Sequence, residues 1–470
     1  MLGGDVFEGI LKEAPVCVMA RATLEAMFAP EALDQLFRRH AKVQYERELL
    51  FSSVVDLMCL VVTRVVGSVH AAVQRRKEQL TVAAKSVYNK LNGIEPGVSR
   101  EVVRHSAKIA TPVIDRLGGK RPLLKGYRVL VLDGNKFHAT DHRLKELRQK
   151  GGAPLPGIAV AVLDPQRRLI QDVVVAEDAY VQETQLVAPI LQELRPKDLV
   201  IADRMYCTSD ILFEIAHKKA CFIIRQHTGH LRYELRGRCR CRGRTVGGKL
   251  YEQEADLIHP QTGEILRVRL ISVRLDQPTR DGDTELHLFT NLPAKAASAE
   301  VVANLYRQRW TVETAFQEMT THQRCEISAL GYPPAACFTF CMAAACYNAF
   351  AVIHAALRAA HGEEVVDTQV SSYYLTDELA GTYRGMMIAL PPAQWVDFQT
   401  LTPTQLATHL KRWAQGVKLS RYQKHPRGPK LRSQRPFAGS KHFATARVLD
   451  PSLAKARRPK KRSTKKQMPP

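Results

Sequence analysis

Five short apolar runs between residues 129 and 225 limit the possible folds of this chain more than any other feature. In chain order they read VLVLD, IAVAVL, LIQDVVV, DLVIAD and ACFIIR. Their length and their β-branched residues are typical of buried strands. A DPQR turn separates the second run from the third, and helical patterns over 182–194 and 209–218 separate the last three. The element order is therefore β-β-β-α-β-α-β.

This order predicts an α/β protein with a ribonuclease-H-like core, in which a meander of three strands precedes two helix–strand units. Between 226 and 292 the pattern changes to short alternating segments separated by Gly-containing turns, which predicts a β-rich insertion. A long helix is predicted over 298–323. The uncharged run over 335–357 favours a buried core helix over a membrane span.

Two of the predicted strands end in an aspartate. Asp133 closes VLVLD and Asp203 closes DLVIAD, and in the predicted sheet these strands are central neighbours. The long predicted helix contains YRQRWTVETAF, in which Tyr306, Arg309 and Glu313 have the spacing i, i+3, i+7 of one helix face. Glu313 would then face both aspartates. Nearly the same face carries Trp310, Gln317, Thr320 and Arg324.

Converging carboxylates suit a hard cation such as Mg²⁺, and a pair of such ions serves phosphoryl transfer. The planar guanidinium of Arg309 suits a phosphate group. The same residues also have plain structural interpretations, because a strand-end acid can cap a turn and an aromatic helix face is usually core. Other acids of these segments are interpreted as solvated or capping, namely Asp172, Asp178, Glu183, Glu318 and Glu326.

The charge balance indicates a polyanionic partner. The 470-residue chain has 69 Lys and Arg against 46 Asp and Glu, a formal net charge of +23. Residues 411–470 alone hold 19 Lys or Arg and a single acid, Asp450. The run KARRPKKRSTKK, with Lys460, Lys461 and Arg462, predicts non-specific phosphate contacts. A tail that only improves solubility would have the same composition.

A helix-turn-helix is one interpretation of the N-terminal part of the chain. Helical patterns over 69–79 and 82–91 are separated by a short break at 80–81. Lys85, Asn89 and Lys90 of the second segment would enter the major groove of DNA. Any helical hairpin gives this pattern, so the alternative of a purely structural hairpin stays open.

Taken together, these motifs resemble the DDE transposases of the bacterial insertion-sequence-4 type. The resemblance rests on LDGNKF around Asp133, IADRMY around Asp203, and Y-x2-R-x3-E from Tyr306 to Glu313. Further similar pieces are TDHRLKELR, LFTNLP, HPRGPK and KHFATARVL.

The resemblance implies a ribonuclease-H-like core that is interrupted by a β insertion before Glu313. It implies that Asp133, Asp203 and Glu313 bind Mg²⁺, for which Mn²⁺ can substitute. It implies cut-and-paste movement of an insertion sequence with terminal inverted repeats, in which water cleaves the element end and the freed 3′-hydroxyl joins target DNA. Tyr306 and Arg309 would contact phosphates, and a homodimer would hold the two ends.

Two positions depart from the family pattern or leave it unassigned. Thr320 stands where the family signature continues with Lys, and Arg324 is the hypothetical substitute for the missing cation. The insertion contains no Trp that could stack on a flipped base. Three other rings of the insertion are equal candidates for that role, namely Tyr233, Tyr251 and Phe289.

These patterns divide the chain into six predicted regions. They are a helical, DNA-binding N-terminal region (1–120), the first part of the core (121–225), the β-rich insertion (226–292), the second part of the core with the Glu313 helix (293–360), a helical C-terminal region (361–430) and a basic, disordered tail (431–470).

The remaining features bear on compartment and on alternative functions. Asp5 and Glu8 lie where a signal peptide needs positive charge, so we expect a cytoplasmic protein with no membrane partner. The resemblance implies that the protein is bacterial and associates with the nucleoid. The spacing of His227, His230, Cys239 and Cys241 matches no common zinc module. A nuclease of the same fold that never joins strands, and an inactive DNA-binding repressor, are the alternatives to a transposase.

Overall fold

A nine-stranded mixed sheet forms the centre of the protein in the computed structural model. The structure describes residues 4–118, 122–138, 144–149, 154–227, 229, 231–279, 282–425, 442–450 and 452–453. The strands are β1 (Arg128–Lys136), β2 (Pro154–Leu155), β3 (Ile158–Asp164), β4 (Leu169–Ala176), β5 (Asp198–Ala202), β6 (Cys221–Arg225), β7 (Tyr233–Thr245), β8 (Gly248–Ile258), β9 (Ile265–Leu275), β10 (Glu285–Thr290) and β11 (Phe443–Ala444).

The strand order in the large sheet is β4-β3-β1-β5-β6-β10-β9-β8-β7. Strands β1, β3 and β4 form the predicted antiparallel meander, and β5 and β6 run parallel to β1. Strand β10 pairs antiparallel with β6. The strands of the predicted insertion therefore continue the same sheet and form its far edge.

The described residues also form helices, several of which pack against this sheet. They are α1 (Asp5–Glu13), α2 (Pro15–Met27), α3 (Pro30–His40), α4 (Phe51–Val62), α5 (Val69–Arg75), α6 (Ala84–Leu91), α7 (Pro96–Leu117), α8 (Glu183–Leu186), α9 (Ala188–Leu191), α10 (Ser209–His217), α11 (Ala299–Tyr306), α12 (Trp310–Thr321), α13 (Pro333–His361), α14 (Glu363–Gln369), α15 (Ser372–Ala389), α16 (Pro403–Gln415) and α17 (Thr445–Leu449). Local capping fixes several starts. The Ser298 side chain, for example, accepts a hydrogen bond from the Val301 N–H at the start of α11.

The uncharged run is a core helix, as predicted. Helix α13 is long and apolar enough to span a membrane, but 94% of its most apolar window is buried inside the protein. Fully buried Asn348 satisfies its amide within the fold. Its Oδ1 accepts from the Ile170 N–H at 2.8 Å, and its Nδ2 donates to Ser106 at 2.9 Å. These bonds tie α13 to β4 and α7, because a buried amide without partners would be costly.

The structure contradicts the short turn of the predicted helix-turn-helix. The first helix ends at Arg75 and the second begins at Ala84, so residues 76–83 connect them rather than a short break at 80–81. A DNA-binding helix-turn-helix has a turn of about three to four residues. Residues 76–79 form turns, and no helical structure follows until Ala84.

The predicted disordered tail (431–470) is wrong for one segment. Phe443–Ala444 pairs in parallel with β2, and α17 follows directly. Arg447 anchors this segment, with its Nε 2.8 Å from Asp178 Oδ2. The sequence KHFATARVL contains apolar residues that the flanking basic runs lack, and Ala444 and Ala446 are buried. Lys460, Lys461 and Arg462 lie outside the described residues.

Candidate active site

The two aspartates lie side by side at the centre of the sheet. The parallel pairing of β1 with β5 ends at Leu132 and Ala202, so Asp133 and Asp203 follow the last pair on neighbouring strands. Asp133 does not end its strand, as the sequence had suggested, because β1 continues to Lys136 along β3. Asp203 leaves β5 and begins a 3₁₀ turn, in which its Oδ1 accepts from the Met205 N–H at 2.6 Å.

The predicted long helix over 298–323 is interrupted beside these aspartates. Helix α11 ends at Tyr306, Arg307–Arg309 form a 3₁₀ turn, and α12 begins at Trp310. Periodicity could not show this break, because a 3₁₀ turn has nearly the same spacing as an α-helical one. Glu313 consequently lies in the first turn of a new helix, where the positive end of the helix dipole favours a carboxylate.

Arg309 connects two of the three predicted catalytic acids. Its Nη1 lies 2.5 Å from Glu313 Oε1 and 3.5 Å from Asp133 Oδ2. The Arg309 side chain is 12% exposed, whereas the Glu313 side chain is 42% exposed. The two carboxylates therefore converge on one cationic nitrogen at the mouth of the site, with Glu313 on the solvent side.

Burial and neighbouring charges shift the proton affinity of these groups. Burial raises the pKa of Asp133 to about 7, and the nearby Asp203 and Glu313 carboxylates act in the same direction. The Gly134 N–H, 2.9 Å from Asp133 Oδ1, and Arg309 oppose the rise in this pKa. The Asp133 carboxyl therefore holds its proton more tightly than an exposed aspartate does.

Tyr306 is buried next to the same acids. Burial raises the pKa of its phenol to about 12, with Asp203 and Asp133 adding to the shift and Arg309 opposing it. The phenol therefore stays neutral at every physiological pH. It can donate a hydrogen bond but cannot act as a base there.

Sequence reasoning missed a fourth carboxylate. Glu183 was interpreted as solvated or capping, yet its Oε2 accepts a hydrogen bond from the fully buried Tyr206 hydroxyl at 3.0 Å. A Cβ placed on Gly134 would lie 2.2 Å from the Glu183 Cδ. The carboxylates of Glu183, Asp133 and Asp203 all raise the pKa of Tyr206 further, beyond the effect of burial. The usable signal was Gly134 in LDGNKF, since only Gly leaves room for this carboxylate.

The other acids that were interpreted as solvated or capping have specific partners. Asp172 pairs with Arg100, Asp178 with Arg447, and Glu318 with Arg168, while Glu326 accepts a hydrogen bond from the His138 N–H. These contacts connect separate segments of the fold outside the central cluster.

The donor set fits a hard divalent cation, although the acids are not assembled around one point. Asp133, Asp203 and Glu313 supply only oxygen ligands, which Mg²⁺ and Mn²⁺ prefer. Two of these carboxylates already share a cation, the Arg309 guanidinium. Within the described ranges, no group of three His, Cys, Asp or Glu residues is close enough to hold an ion as it stands.

The predicted DNA-binding residues near Glu313 fall into different environments. Trp310 is 60% exposed, and its ring lies 4.3 Å from the Arg309 guanidinium carbon. Thr320 directs its hydroxyl to the Phe316 carbonyl at 2.9 Å. Arg324 does not continue their helix face, because α12 ends at Thr321. Its guanidinium instead donates to the carbonyls of Val66 and Gly67.

The predicted DNA-binding residues of α6 also differ in their exposure to solvent. Lys85 and Asn89 are exposed and one helical turn apart. Lys90 turns inward, where its Nζ donates to the Tyr45 carbonyl at 2.9 Å and lies 4.1 Å from the Phe37 ring centre. Burial lowers the pKa of Lys90. The open face of α6 therefore presents Lys85 and Asn89, without Lys90.

The residues left unassigned in the insertion lie along its strands. Phe289 is fully buried and contacts Tyr233, with ring centres 5.2 Å apart, while Tyr251 lies under Arg274. Cys239 and Cys241 are exposed on β7. His230 lies outside the described residues.

Among curated proteins, no relative of the chain is found. Residues 124–349 match the family model of the transposase DDE domain. The matched segment is just under half of the chain, from just before β1 into α13, and contains Asp133, Asp203 and Glu313. The match supports the identification of this chain as a DDE transposase.

Proposed function

We propose that the chain is the transposase of an insertion sequence of the bacterial insertion-sequence-4 type. It would catalyse cut-and-paste excision and integration by metal-dependent phosphodiester hydrolysis and strand transfer. The observation that carries the proposal is the convergence of Asp133 and Glu313 on Arg309 beside Asp203, inside the segment that matches the transposase DDE domain.

The sheet supports a ribonuclease-H-like assignment for the core. Its first five strands lie in the order β4-β3-β1-β5-β6, with an antiparallel meander followed by two parallel strands. The helices from Asp5 to Leu117 would then form an all-α N-terminal domain that binds DNA, as the exposed Lys85 and Asn89 suggest.

Asp133, Asp203 and Glu313 would hold Mg²⁺, or Mn²⁺ in its place. When bound, a pair of such ions activates the attacking oxygen and stabilises the leaving oxygen of an in-line displacement. The chain contributes the oxygen ligands and the neighbouring groups that set their protonation. Asp133 must lose its proton to act as a ligand, and its raised pKa opposes this loss.

Arg309 and Tyr306 would bind the phosphate at the cut end. The Arg309 guanidinium forms a planar fork that matches phosphate oxygens, and a phosphate would compete with Glu313 and Asp133 for it. Tyr306 remains a neutral donor, as its raised pKa requires. Exposed Trp310 offers a ring on which an unpaired base could stack.

The proposed partners are terminal inverted repeats and target DNA. A homodimer would hold two element ends, and the protein would act in the bacterial cytoplasm on the nucleoid, without a membrane partner. The retention of all three acids favours an enzyme over an inactive repressor. Thr320 favours neither alternative, because a missing cation weakens DNA binding without removing a carboxylate.

Cleavage of an element end tests the proposal. The full chain would be incubated with Mg²⁺ and a labelled duplex that carries the inverted repeat flanking its own gene. We expect cleavage that disappears with Asp203→Asn and persists with Asp210→Asn, a matched control whose side chain is 84% exposed. Joined products in the same reaction distinguish a transposase from a nuclease. End-specific binding without Mg²⁺-dependent cleavage would overturn the proposal in favour of a repressor.

A further inference from the structure

The strand at the far edge of the sheet is the most strongly charged exposed element of the insertion. Among the described strands, β7 pairs only with β8, and it is exposed along almost its whole length. Its sequence YELRGRCRCRGRT places an arginine at every second position from 236 to 244. We call this element the arginine strand.

Two bulges distribute these arginines over both faces of the sheet. Gly237 and Gly243 adopt positive φ angles of 62° and 93°, which residues with a side chain rarely adopt. The pairing register shifts at both places. As a result Arg240 lies opposite Glu252 on one face, while Arg244 lies opposite Lys249 on the other. The guanidinium groups therefore surround the edge rather than lining one side of it.

The arginine strand carries more positive charge than its neighbours neutralise. Arg236 pairs with Asp256, Arg242 Nε lies 2.6 Å from Glu252, and Arg244 Nη2 lies 2.6 Å from Asp276. Arg238 and Arg240 have no carboxylate partner among the described residues. Ion pairs thus hold the outer arginines in place, and two central guanidinium groups are directed to solvent.

The position of the arginine strand relates it to the active site. Helix α11, which leads to Tyr306, packs against β7, and Thr245 Oγ1 lies 3.1 Å from Asn304 Oδ1. Five inter-strand steps separate β5 from β7. At the usual strand spacing these steps span about 24 Å, which corresponds to about seven base pairs of duplex.

We propose that the arginine strand binds the phosphate backbone of a DNA duplex about seven base pairs from the phosphate at Asp133 and Asp203. This inference deepens the proposed function and rests on it for the identity of the polyanion. Phosphate contacts of this kind position a duplex without reading its sequence. Both strands of a duplex present phosphates around a convex surface, which suits guanidinium groups on both sides of an edge.

Binding measured without metal tests the proposal independently of catalysis. The full chain would be titrated with a fluorescent 30-base-pair duplex at several salt concentrations. With Arg238→Gln/Arg240→Gln we expect at least about tenfold weaker binding at 100 mM salt, and a slope of log K against log salt that is smaller by about two. The matched control, Lys411→Gln/Arg412→Gln on α16, removes the same charge and should change the slope less.

The cysteines of the arginine strand provide a test that needs no variant. Cys239 and Cys241 are exposed, whereas the other eight cysteines of the chain are buried. N-ethylmaleimide should therefore alkylate these two thiols in the native protein, as mass spectrometry of the peptide would show. Saturating duplex should slow their alkylation at least about fivefold, because bound phosphates would cover the strand.

Three outcomes of these binding and alkylation experiments would overturn the proposal. Unchanged alkylation in DNA-saturated protein, or an unchanged salt slope in the double variant, would overturn the assignment. A change of oligomeric state with unaltered DNA affinity would also overturn it, because it would assign the edge to pairing with a second copy. Failure of the proposed function is distinguishable, since it would abolish Mg²⁺-dependent cleavage while leaving this metal-free binding result intact.

Discussion

Charged side chains are neutralised in different ways at the centre and at the far edge of one sheet. At the centre, Asp133 is buried enough that its pKa rises to about 7, and Arg309 serves as its counter-charge. At the edge, Arg238 and Arg240 are exposed and need no carboxylate, because water screens each guanidinium. Electrostatic interactions are strong where solvent is excluded and weak but additive where it is not. The centre is therefore suited to chemistry and the edge to holding a polyanion.

The largest expected effect separates these two roles directly. Glu313→Gln should lower the rate of DNA cleavage at saturating DNA by at least about 1,000-fold, a loss comparable to removal of a transition-state charge stabiliser. Its DNA affinity should change little. Arg238→Gln/Arg240→Gln should show the reverse, with weaker binding and a nearly unchanged rate at saturation. Equal losses of affinity and rate in both variants would contradict the division.

The second prediction concerns the counter-charge at the centre. Arg309→Gln should raise the affinity of the DNA-free protein for Mn²⁺ about tenfold, because a charged hydrogen bond that competes for Glu313 and Asp133 disappears. Isothermal titration calorimetry would measure the change. The variant should still cleave DNA poorly, since it has lost a phosphate ligand. Weaker Mn²⁺ binding would show that Arg309 orders the carboxylates rather than competing with the ion.

The third prediction uses the raised pKa of Asp133. An acid whose pKa is higher in the folded than in the unfolded state, about 7 against about 3.9, stabilises the fold fully below pH 4. That stability is lost as the pH rises through about 7. Asp133→Asn should therefore stabilise the metal-free protein at pH 8, by about 2 kcal/mol after discounting for solvent, and much less at pH 5.

Thermal denaturation at pH 5, 6, 7 and 8 would measure this difference. Asp377→Asn is the control, because this exposed carboxyl on α15 forms no ion pair among the described residues, so its substitution should change the melting temperature little at every pH. A melting temperature of Asp133→Asn that lies below the unsubstituted protein at pH 8 would contradict the assigned burial cost.

The smallest expected effect comes from adding a cation near the centre. Thr320 lines a cavity of about 250 Å³ with Arg324 and Glu326, and its hydroxyl contacts the Phe316 carbonyl at 2.9 Å and the Cys325 Sγ at 3.5 Å. Thr320→Lys should strengthen DNA binding by a factor of about three to eight at 100 mM salt, the scale of a single new phosphate contact. Fluorescence anisotropy with the same duplex would measure it. Unchanged binding would contradict this prediction and would indicate that the new Lys pairs with Glu326 instead.

Much of this organisation follows from local sequence. Short apolar runs predicted the meander and the two parallel strands, and the acids after them predicted Asp133 and Asp203 as neighbours. The spacing of Arg309 and Glu313 predicted their proximity, because the two residues are four apart and the 3₁₀ turn ends at Arg309, before the helical turn that joins them.

Other features depend on contacts that no local pattern contains. Glu183 reaches the site through Gly134 and Tyr206, which are distant from it in sequence. Arg324 lost its predicted orientation because α12 stops at Thr321 and backbone carbonyls of another segment capture its guanidinium. The tail segment that contains Arg447 is ordered by Asp178, again a long-range partner.

Excision in cells tests the central claim most directly. The DNA that flanks the gene, with its inverted repeats, would bracket a selectable marker, and the chain would be supplied from a second plasmid. The account predicts marker excision with the unsubstituted chain and with Asp210→Asn, and none with Asp133→Asn at equal protein level. Excision that persists with Asp133→Asn would contradict the assignment of this carboxylate, and with it the proposed DNA-cleaving site.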